Sequence, residues 1–403
     1  MSTPLAPTAD RVGSILCVNA GSSSLKVARF EIAQTGDQTG DQAHQAASVL
    51  VEGVGRGSGR WSRRDATGAV TAARDEVIPD QAHALQLALD ALGSVGHEPA
   101  DAVGHRVVHG GRNLVEHVVL DAGVLAQLKA AVPFAPLHLP AEIEAIEVIA
   151  ARWPSMPQVV CLDTAFHRAL PTVARRLPLP AWVDAEGVRR YGFHGLSYEY
   201  VVERVGAGVL GRAIVAHLGS GASLAAIRDG RSIDTTMGFT PAGGVIMATR
   251  TGDLDPGALV FLAREHGLNP DALESLVNRE AGLLGVSGHS ADMVELQRLA
   301  PTDADAALAI DMFCTSAAKS VGALTTVLGG LDTIVFTGGI GENAADVRAR
   351  ICARVAHLGV VADESRNAAS ASVISTDASP VMVRVLATDE NFVIARTVAR
   401  LVR

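Results

Sequence analysis

The sequence lacks the features of several common classes of protein. Its net charge of −9 argues against a nucleic acid or an anionic membrane as partner. The four cysteines are far apart and form no Cys-x-x-Cys pair, which disfavours a zinc site or a disulfide framework, and we expect reduced thiols in apolar runs. The start, MSTPLAPTADR, has no signal-peptide pattern, and no uninterrupted apolar run reaches membrane-spanning length. These absences favour a cytoplasmic protein.

Familiar catalytic motifs are missing as well. There is no Gly-x4-Gly-Lys-Ser/Thr loop, and no Gly-x-Gly-x-x-Gly opens a helix after a strand, which disfavours a P-loop NTPase or a Rossmann dehydrogenase. The 13 histidines include no His-Glu-x-x-His. His105 and His109 are four residues apart, but they lie in a segment that reads as a strand. A metal bound by histidines is therefore not expected.

What the chain does contain is a repeated pattern of short apolar runs and longer amphipathic runs, which indicates an α/β protein. A length of 403 residues predicts two domains. The strands SILCVNAG and LKVARFEI, joined by a Gly-Ser turn, are echoed by RAIVAHLGSGASLAAIRDG in a second block that begins near residue 165. This echo predicts a duplicated half-domain, and two such halves facing each other would enclose a cleft.

Further along the chain, local patterns predict individual elements. DAVGHRVVHGG and QVVCLD read as strands, and PAEIEAIEVIAAR reads as a helix. Asp255 and Pro256 are expected to start another helix, and residues 303–328 a long one. The strand TIVF leads into TGGIGEN, where we expect Asn343 to cap the following helix. The tail TDENFVIARTVARLVR predicts an amphipathic helix.

Several polar side chains stand where these strands end. The small residues of NAGSSS and GSGAS suit a phosphate, although each turn alone is better explained as a plain hairpin turn. Arg106 and Arg250 lie at a strand end or in a Gly-rich loop, where a guanidinium can grip phosphate or form a structural ion pair. Asp163 ends a buried strand, where α/β proteins place catalytic groups, but it could equally cap the next segment.

The three tyrosines of the chain all lie in RRYGFHGLSYEY, around His194. A satisfied core histidine is the default interpretation of His194 alone.

Together these residues resemble the acetate kinases, members of the acetate and sugar kinase, heat-shock chaperone and actin superfamily. NAGSSSLK, GHRVVHGG, APLH, DTAFH, RRYGFHG, MGFTP, TRTGDLDPG, GGIGEN and TDE occur in the order of that family. The resemblance implies two duplicated ribonuclease H-like domains with an interdomain cleft. It places an N-terminal domain at 1–165, joined by the helix 389–403, and a C-terminal domain at 166–388 with the nucleotide site and a homodimer interface.

The resemblance also implies a reaction: reversible transfer of a phosphoryl group from ATP to acetate, giving acetyl phosphate and ADP, with Mg²⁺ or Mn²⁺ as metal. Its catalytic residues would be Arg106, Asp163, His194 and Arg250, and Asn19 and Glu390 would hold the metal. Substrate would be bound by Arg106, Val108, Leu137, Phe193 and Pro241. Nucleotide would be bound by Ser22, Ser24, Lys26, His217, Leu218, Gly219, Ser220, Gly221, Asp292, Met293, Val294, Gly339, Ile340, Gly341, Glu342 and Asn343.

The sequence departs from the family pattern around the nucleotide and the acyl loop. Ser220 replaces an Asn, Val294 an Arg, and Asn391 a Glu; the residues Leu196, Tyr198, Ala242, Gly243 and Ala248 are also unusual. The alternatives are therefore a propionate or other short-chain acyl kinase, a member with another phosphoryl donor such as pyrophosphate, a silent nucleotide-binding regulator, or a plain ATPase.

Overall fold

The computed structural model describes residues 13–21, 23–33, 42–93 and 100–402. It divides into two compact units. The N-terminal unit comprises the described residues through Ala165 and those from Asp389 onward, and the C-terminal unit is Phe166–Thr388. Each unit is built on one mixed sheet covered by helices.

The N-terminal unit contains eight strands and four helices among its described residues. The strands are β1 (Gly13–Ala20), β2 (Ser24–Ala33), β3 (Gln42–Glu52), β4 (Gly59–Asp65), β5 (Val70–Glu76), β6 (Ala102–Val107), β7 (Val118–Val119) and β8 (Gln158–Leu162). The helices are α1 (Gln81–Gly93), α2 (Ala122–Ala130), α3 (Leu139–Arg152) and, at the end of the chain, α16 (Glu390–Leu401).

The C-terminal unit contains five strands and twelve mostly short helices. The strands are β9 (Ala213–Leu218), β10 (Ala222–Arg228), β11 (Arg231–Thr235), β12 (Thr333–Thr337) and β13 (Met382–Val385). The helices are α4 (Thr172–Arg175), α5 (Ala181–Ala185), α6 (Gly195–Val205), α7 (Ala207–Leu210), α8 (Pro256–His266), α9 (Pro270–Ser275), α10 (Gly282–Ser287), α11 (Met293–Leu299), α12 (Ala304–Leu328), α13 (Gly338–Asn343), α14 (Ala345–Arg354) and α15 (Glu364–Ala368).

The two sheets share one topology. In the N-terminal unit the order β3-β2-β1-β6-β8 has an antiparallel meander followed by two strands parallel to β1. In the C-terminal unit β11-β10-β9-β12-β13 repeats the same order and the same directions. This repeat confirms the duplication that the sequence echo predicted, and it is the strand order of a ribonuclease H-like half. The strands β4, β5 and β7 are additions to the first sheet.

The central parallel strands form because their sequences are largely apolar. Residues 158–162, 213–218 and 333–337 are buried throughout, as expected for strands covered on both faces. In β6 the neighbours Val103 and Gly104 point to opposite faces. Val103 joins the core under α1 and α3, whereas a methyl group at Gly104 would lie 2.3 Å from a carbon of Ile394 on α16. The last helix therefore covers the second face of the first sheet.

Most predicted helix ends are confirmed, with one exception. The Asp255 carboxylate accepts from the N–H of Gly257, and Pro256 follows it at the start of α8. Asn343 does not cap the next helix, so that prediction was wrong. Residues 338–343 are themselves helical, and the Asn343 amide donates back to the carbonyl of Gly339 at 2.9 Å. The glycines let the chain turn into a helix one turn earlier than the capping pattern indicates.

Within the described residues, α12 alone is long and apolar enough to cross a membrane by length and composition. Its buried residues recur at helical spacing, and it packs on β10, α10, α11 and α14, which is the pattern of a core helix. All four cysteines are buried free thiols, as predicted.

Candidate active site

The carboxyl ends of β1, β6 and β8 bring three predicted residues together in the N-terminal unit. Asp163 follows β8, is only 1% exposed, and accepts through Oδ2 from Nε and Nη2 of Arg106 at 3.0 and 2.5 Å. Nη1 of Arg106 donates to Asn19 Oδ1 at 3.1 Å. Glu390, the first residue of α16, lies 3.9 Å from Arg106 Nε. Parallel neighbours end at one sheet edge, which is why residues 19, 106 and 163 meet.

The charges in this group hold Arg106 as a cation. Burial by itself lowers the pKa of Arg106, but the carboxylates of Asp163 and Glu390 outweigh that cost, so the pKa is raised. The structural ion pair considered from the sequence is therefore present. Nε and Nη2 make the pair and Nη1 donates to Asn19, while the side chain keeps 18% exposure beside Glu390 at 19%.

The oxygens around Arg106 suit a hard divalent cation. Mg²⁺ prefers oxygen ligands and is usually bound by one or two carboxylates together with substrate phosphates. Asn19 Oδ1 and the Glu390 carboxylate provide such oxygens, while the described residues contain no group of three or more His, Cys, Asp or Glu that could hold a metal. These two oxygens are of the kind that Mg²⁺ prefers, and both also lie near the Arg106 guanidinium.

The remaining predicted residues of the first sheet lie on β2 and the turn before it. Lys26 is exposed and stands opposite Asn19 in the β1–β2 pairing. Ser24 accepts from the N–H of Gly21 through its carbonyl at 2.8 Å. Ser22 lies outside the described residues.

The predicted acyl pocket is divided between the units. Val108 is 3% exposed and Leu137 is half-buried in the N-terminal unit, whereas Phe193, 1% exposed, and the half-buried Pro241 belong to the C-terminal unit.

His194 occupies an unusual backbone position in the C-terminal unit. With φ 58° and ψ 27° it is left-handed, at the residue before α6, a conformation that costs energy for a side chain other than glycine. Its Nδ1 lies 2.9 Å from Ser223 Oγ, and that oxygen lies 2.6 Å from the buried Tyr198 hydroxyl. Burial raises the pKa of Tyr198, so the phenol keeps its proton.

This chain of hydroxyls fits one tautomer of His194. The Tyr198 hydroxyl and Nδ1 of His194 both lie within hydrogen-bond distance of Ser223 Oγ. In the neutral tautomer with the proton on Nε2, the Ser223 hydroxyl donates to Nδ1 and Nε2 can act as a donor.

Nε2 of His194 and the guanidinium of Arg250 both lie near Gly221. A methyl group built on Gly221, in the turn between β9 and β10, would lie 3.3 Å from His194 Nε2 and 3.6 Å from Arg250 Nη1. Arg250 Nη1 also lies 3.3 Å from the Pro241 carbonyl. Two donors thus converge above a glycine that leaves room for an oxyanion.

A second imidazole supports the first. The ring of His217 stacks on that of His194, with centroids 4.2 Å apart and planes 22° apart. His217 Nδ1 lies 2.8 Å from Ser197 Oγ, which lies 2.9 Å from Thr388 Oγ1. Two cationic rings at this distance would repel each other, so the stack favours at most one charged histidine.

Beside these groups lies a cavity of about 400 Å³. Eight of the predicted nucleotide residues line it, and four others join them. The predicted ones are Gly219, Ser220, Asp292, Met293, Val294, Gly339, Ile340 and Asn343, and the others are Ala248, Ala291, Gln297 and Ala344. The volume and the mostly apolar wall suit a nucleoside.

The other predicted nucleotide residues have structural contacts. Leu218 is fully buried, and Gly341 is buried in α13. The Glu342 carboxylate accepts from the N–H groups of Gly338 and Thr388 at 2.9 and 3.1 Å. Leu218, Gly341 and Glu342 do not themselves line the cavity.

The profile of the acetokinase family matches residues 14–396. The chain belongs to this family. An acetate kinase of Rhodopseudomonas palustris is 44% identical over 401 residues, 96% of this chain and 98% of that protein. One of Nitrobacter hamburgensis is 43% identical over 397 residues, 95% of each chain.

Solved members of the family share the fold. The acetate kinase of Porphyromonas gingivalis is 34% identical with a TM-score of 0.85, over 97% of this chain and 100% of that one. A propionate kinase of Francisella tularensis is 34% identical with a TM-score of 0.87, over 95% and 98%. These matches confirm the predicted α/β class and its duplicated halves.

The site contains several contacts that the family motifs did not predict. Ser223 and Ser197 each hold one of the stacked histidines. Tyr198, noted in the sequence as a departure from the family pattern, completes the Ser223 contact. Gln297 adds a side-chain amide to the cavity. The clustering of tyrosines around His194 was a signal for Tyr198. Ser223 ends the GSGAS turn and Ser197 lies in RRYGFHGLSYEY, but neither pattern predicted a contact with a histidine.

Proposed function

We propose that this chain is an acetate kinase that transfers a phosphoryl group from ATP to acetate, reversibly and with Mg²⁺. The observation that carries the proposal is the convergence of His194 Nε2 and Arg250 Nη1 above Gly221, beside the 400 Å³ cavity. A phosphoryl group held at that point would receive donors from both side chains. The family of its relatives supplies the identity of the two substrates.

The chemistry needs charge neutralisation more than proton transfer. Acetate is ionised at neutral pH because carboxylic acids have pKa values near 4, so no general base is required. The obstacle is the approach of one anion to another. Arg106 and Arg250 supply positive charge, and His194 adds a hydrogen bond to oxygens that gain charge in a loose, in-line transition state.

Each remaining residue has a supporting role in this proposal. Asp163 orients Arg106 through two hydrogen bonds rather than removing a proton. Asn19 and Glu390 would hold Mg²⁺, which when bound screens the phosphate charges. Val108, Leu137, Phe193 and Pro241 would surround the methyl group, and the cavity residues, with Lys26 near the phosphates, would hold ATP.

The experiment is a matrix of donors and acceptors with purified protein. Acetate, propionate and butyrate are tested with ATP, GTP and pyrophosphate in the presence of Mg²⁺, and acyl phosphate is trapped as hydroxamate. The proposal predicts the highest kcat/KM for ATP with acetate. No hydroxamate from any acid would refute it, and phosphate release without an acid would indicate a plain ATPase instead.

A second candidate keeps the acceptor and changes the donor. Ser220 and Val294 both line the cavity, and the Val294 side chain is 75% exposed there, where it offers a nucleotide no charge. Preference for pyrophosphate or another nucleotide in the same matrix would support it. Preference for propionate would support a kinase for longer acyl chains. Nucleotide binding without turnover would support a regulator.

The C-terminal unit presents apolar side chains that suit a homodimer interface. Val260 and Phe261 on α8 are 54% and 58% exposed, and Leu308 on α12 is 50% exposed. We propose that the protein is a cytoplasmic homodimer formed through this unit. Light scattering of the purified protein tests whether it is a dimer.

A further inference from the structure

Glu142 is a buried acidic residue that the proposed reaction does not use. It lies in the first turn of α3 and is 2% exposed. Its Oε2 accepts from the N–H of Val108 at 3.1 Å, while Oε1 is buried without a hydrogen-bond partner in the described structure. A buried carboxylate loses its hydration, and a single hydrogen bond compensates only part of that cost.

Glu142 interacts with two residues of the proposed acyl site, Val108 and Arg106. Val108 is a proposed acyl-pocket residue, and it follows Arg106 by two residues at the end of β6. The hydrogen bond to Val108 therefore fixes the backbone just beyond Arg106. Arg106 and Asp163 are also the charged groups that act on Glu142.

These surroundings favour the protonated form of Glu142. Burial raises its pKa to about 8, although Arg106 and the Val108 N–H oppose the rise; the charge of Asp163 adds to it. At neutral pH most of the folded protein then keeps this proton.

The elements packed on α3 are α1, α2, β1 and β6; the titratable groups of these two strands are Cys17 on β1 and, besides Arg106, His105 on β6, which is bonded to Gln158. On α2, Lys129 pairs with Glu147 further along α3. On α1, Asp90 pairs with Arg152 at the end of α3. The charge balance of Glu142 is therefore set from β6 and from the residue after β8.

We propose that Glu142 is a positioning residue of the acyl site, which in its uncharged form holds Val108 and leaves the charge of Arg106 available to the substrate anions. Loss of its proton places another negative charge near Arg106, which already faces Asp163 and Glu390. The added charge weakens the attraction of Arg106 for acetate and the phosphoryl group. This inference rests on the proposed acetate kinase function.

The test compares Glu142→Gln with Glu142→Leu across pH 6 to 9.5, measuring ADP release with saturating MgATP and varied acetate. The Gln side chain keeps an acceptor for Val108 and cannot ionise, whereas Leu removes the acceptor. For the wild type, kcat/KM for acetate should fall by up to about tenfold between pH 7 and pH 9, because Glu142, with a pKa of about 8, gains its charge in that range. Glu142→Gln should lose most of that fall, and Glu142→Leu should raise the KM for acetate at every pH.

A second measurement does not depend on activity. Because the folded pKa lies above that of an unfolded glutamate, about 4.3, the stabilising effect of the proton is complete at low pH and lost as pH rises to about 8. The melting temperature of Glu142→Gln relative to the wild type should therefore rise between pH 5 and pH 8.

An alkaline fall that is identical in Glu142→Gln and the wild type overturns the inference, as does a pH-independent difference in melting temperature. The wild-type protein tests the parent proposal separately. If it forms no acyl phosphate at pH 7, the function fails whatever the variants do.

Discussion

Replacing Ser223 by alanine removes one hydroxyl that serves two partners. Ser223 Oγ lies 2.9 Å from His194 Nδ1 and 2.6 Å from the Tyr198 hydroxyl. In the variant, Tyr198 keeps a buried hydroxyl without its acceptor. His194 loses the Ser223 contact at Nδ1 that favours a proton on Nε2, the atom that faces the space above Gly221.

The contacts set the size of both effects. A buried polar group left unsatisfied costs about 1–3 kcal/mol, so the free energy of unfolding should fall by that amount. Complete loss of a transition-state donor costs about 3 kcal/mol. Because the His194 ring remains and only its orientation and tautomer are released, we expect kcat to fall about 10- to 100-fold, which corresponds to about 1.4–2.8 kcal/mol.

Steady-state kinetics and urea unfolding measure these effects, with Tyr198→Phe as the matched control. That control breaks the Tyr198–Ser223 bond but leaves Ser223 to donate to His194, so kcat should change less than about threefold. The double variant should recover stability, since no buried hydroxyl is left unpaired, without recovering kcat. A folded Ser223→Ala enzyme with the wild-type kcat would show that Ser223 does not prepare His194.

Three further predictions test other parts of the site. Gly221→Ala should lower kcat by about 100-fold or more, because its methyl group fills the space between His194 and Arg250. In the control Gly322→Ala the new methyl group contacts nothing within 4 Å, so kcat should not fall. Equal kinetics for the two variants would refute this prediction. Arg106→Leu should lower the free energy of unfolding by about 3–5 kcal/mol by leaving the Asp163 charge buried, and adding Asp163→Asn should restore part of it; urea midpoints unchanged in the single variant would contradict the ion pair. Glu390→Ala should raise the Mg²⁺ concentration needed for half-maximal rate about tenfold or more, and an unmoved Mg²⁺ titration would remove Glu390 from the metal site.

Much of the fold could be predicted from local patterns. Largely apolar runs predicted β8, β9 and β12, since a strand buried on both faces does not alternate between polar and apolar residues. The end of such a strand also predicted where polar groups would gather, and Arg106 and Asp163 do meet at one sheet edge. The start of α8 could be predicted because a cap is a contact between near neighbours.

The contacts that tune the site could not be predicted in this way. Ser223 reaches His194 across 29 residues and Glu142 reaches Val108 across 34, and their types are unremarkable in a strand and a helix. The wrong cap at Asn343 has a related cause, because Gly338 starts the helix early where its N–H finds the Glu342 carboxylate.

The sequence by itself determined the alternation of strands and helices, the duplication and the residue types available for phosphoryl transfer, because these follow from periodicity and short-range hydrogen bonding. The tertiary structure alone decided which nitrogen of His194 faces the space above Gly221, which carboxyl is buried beneath Val108, and which glycine leaves room for an oxyanion. Those properties depend on distances of about 3 Å between groups far apart in the chain, and only the packed sheets and helices fix such distances.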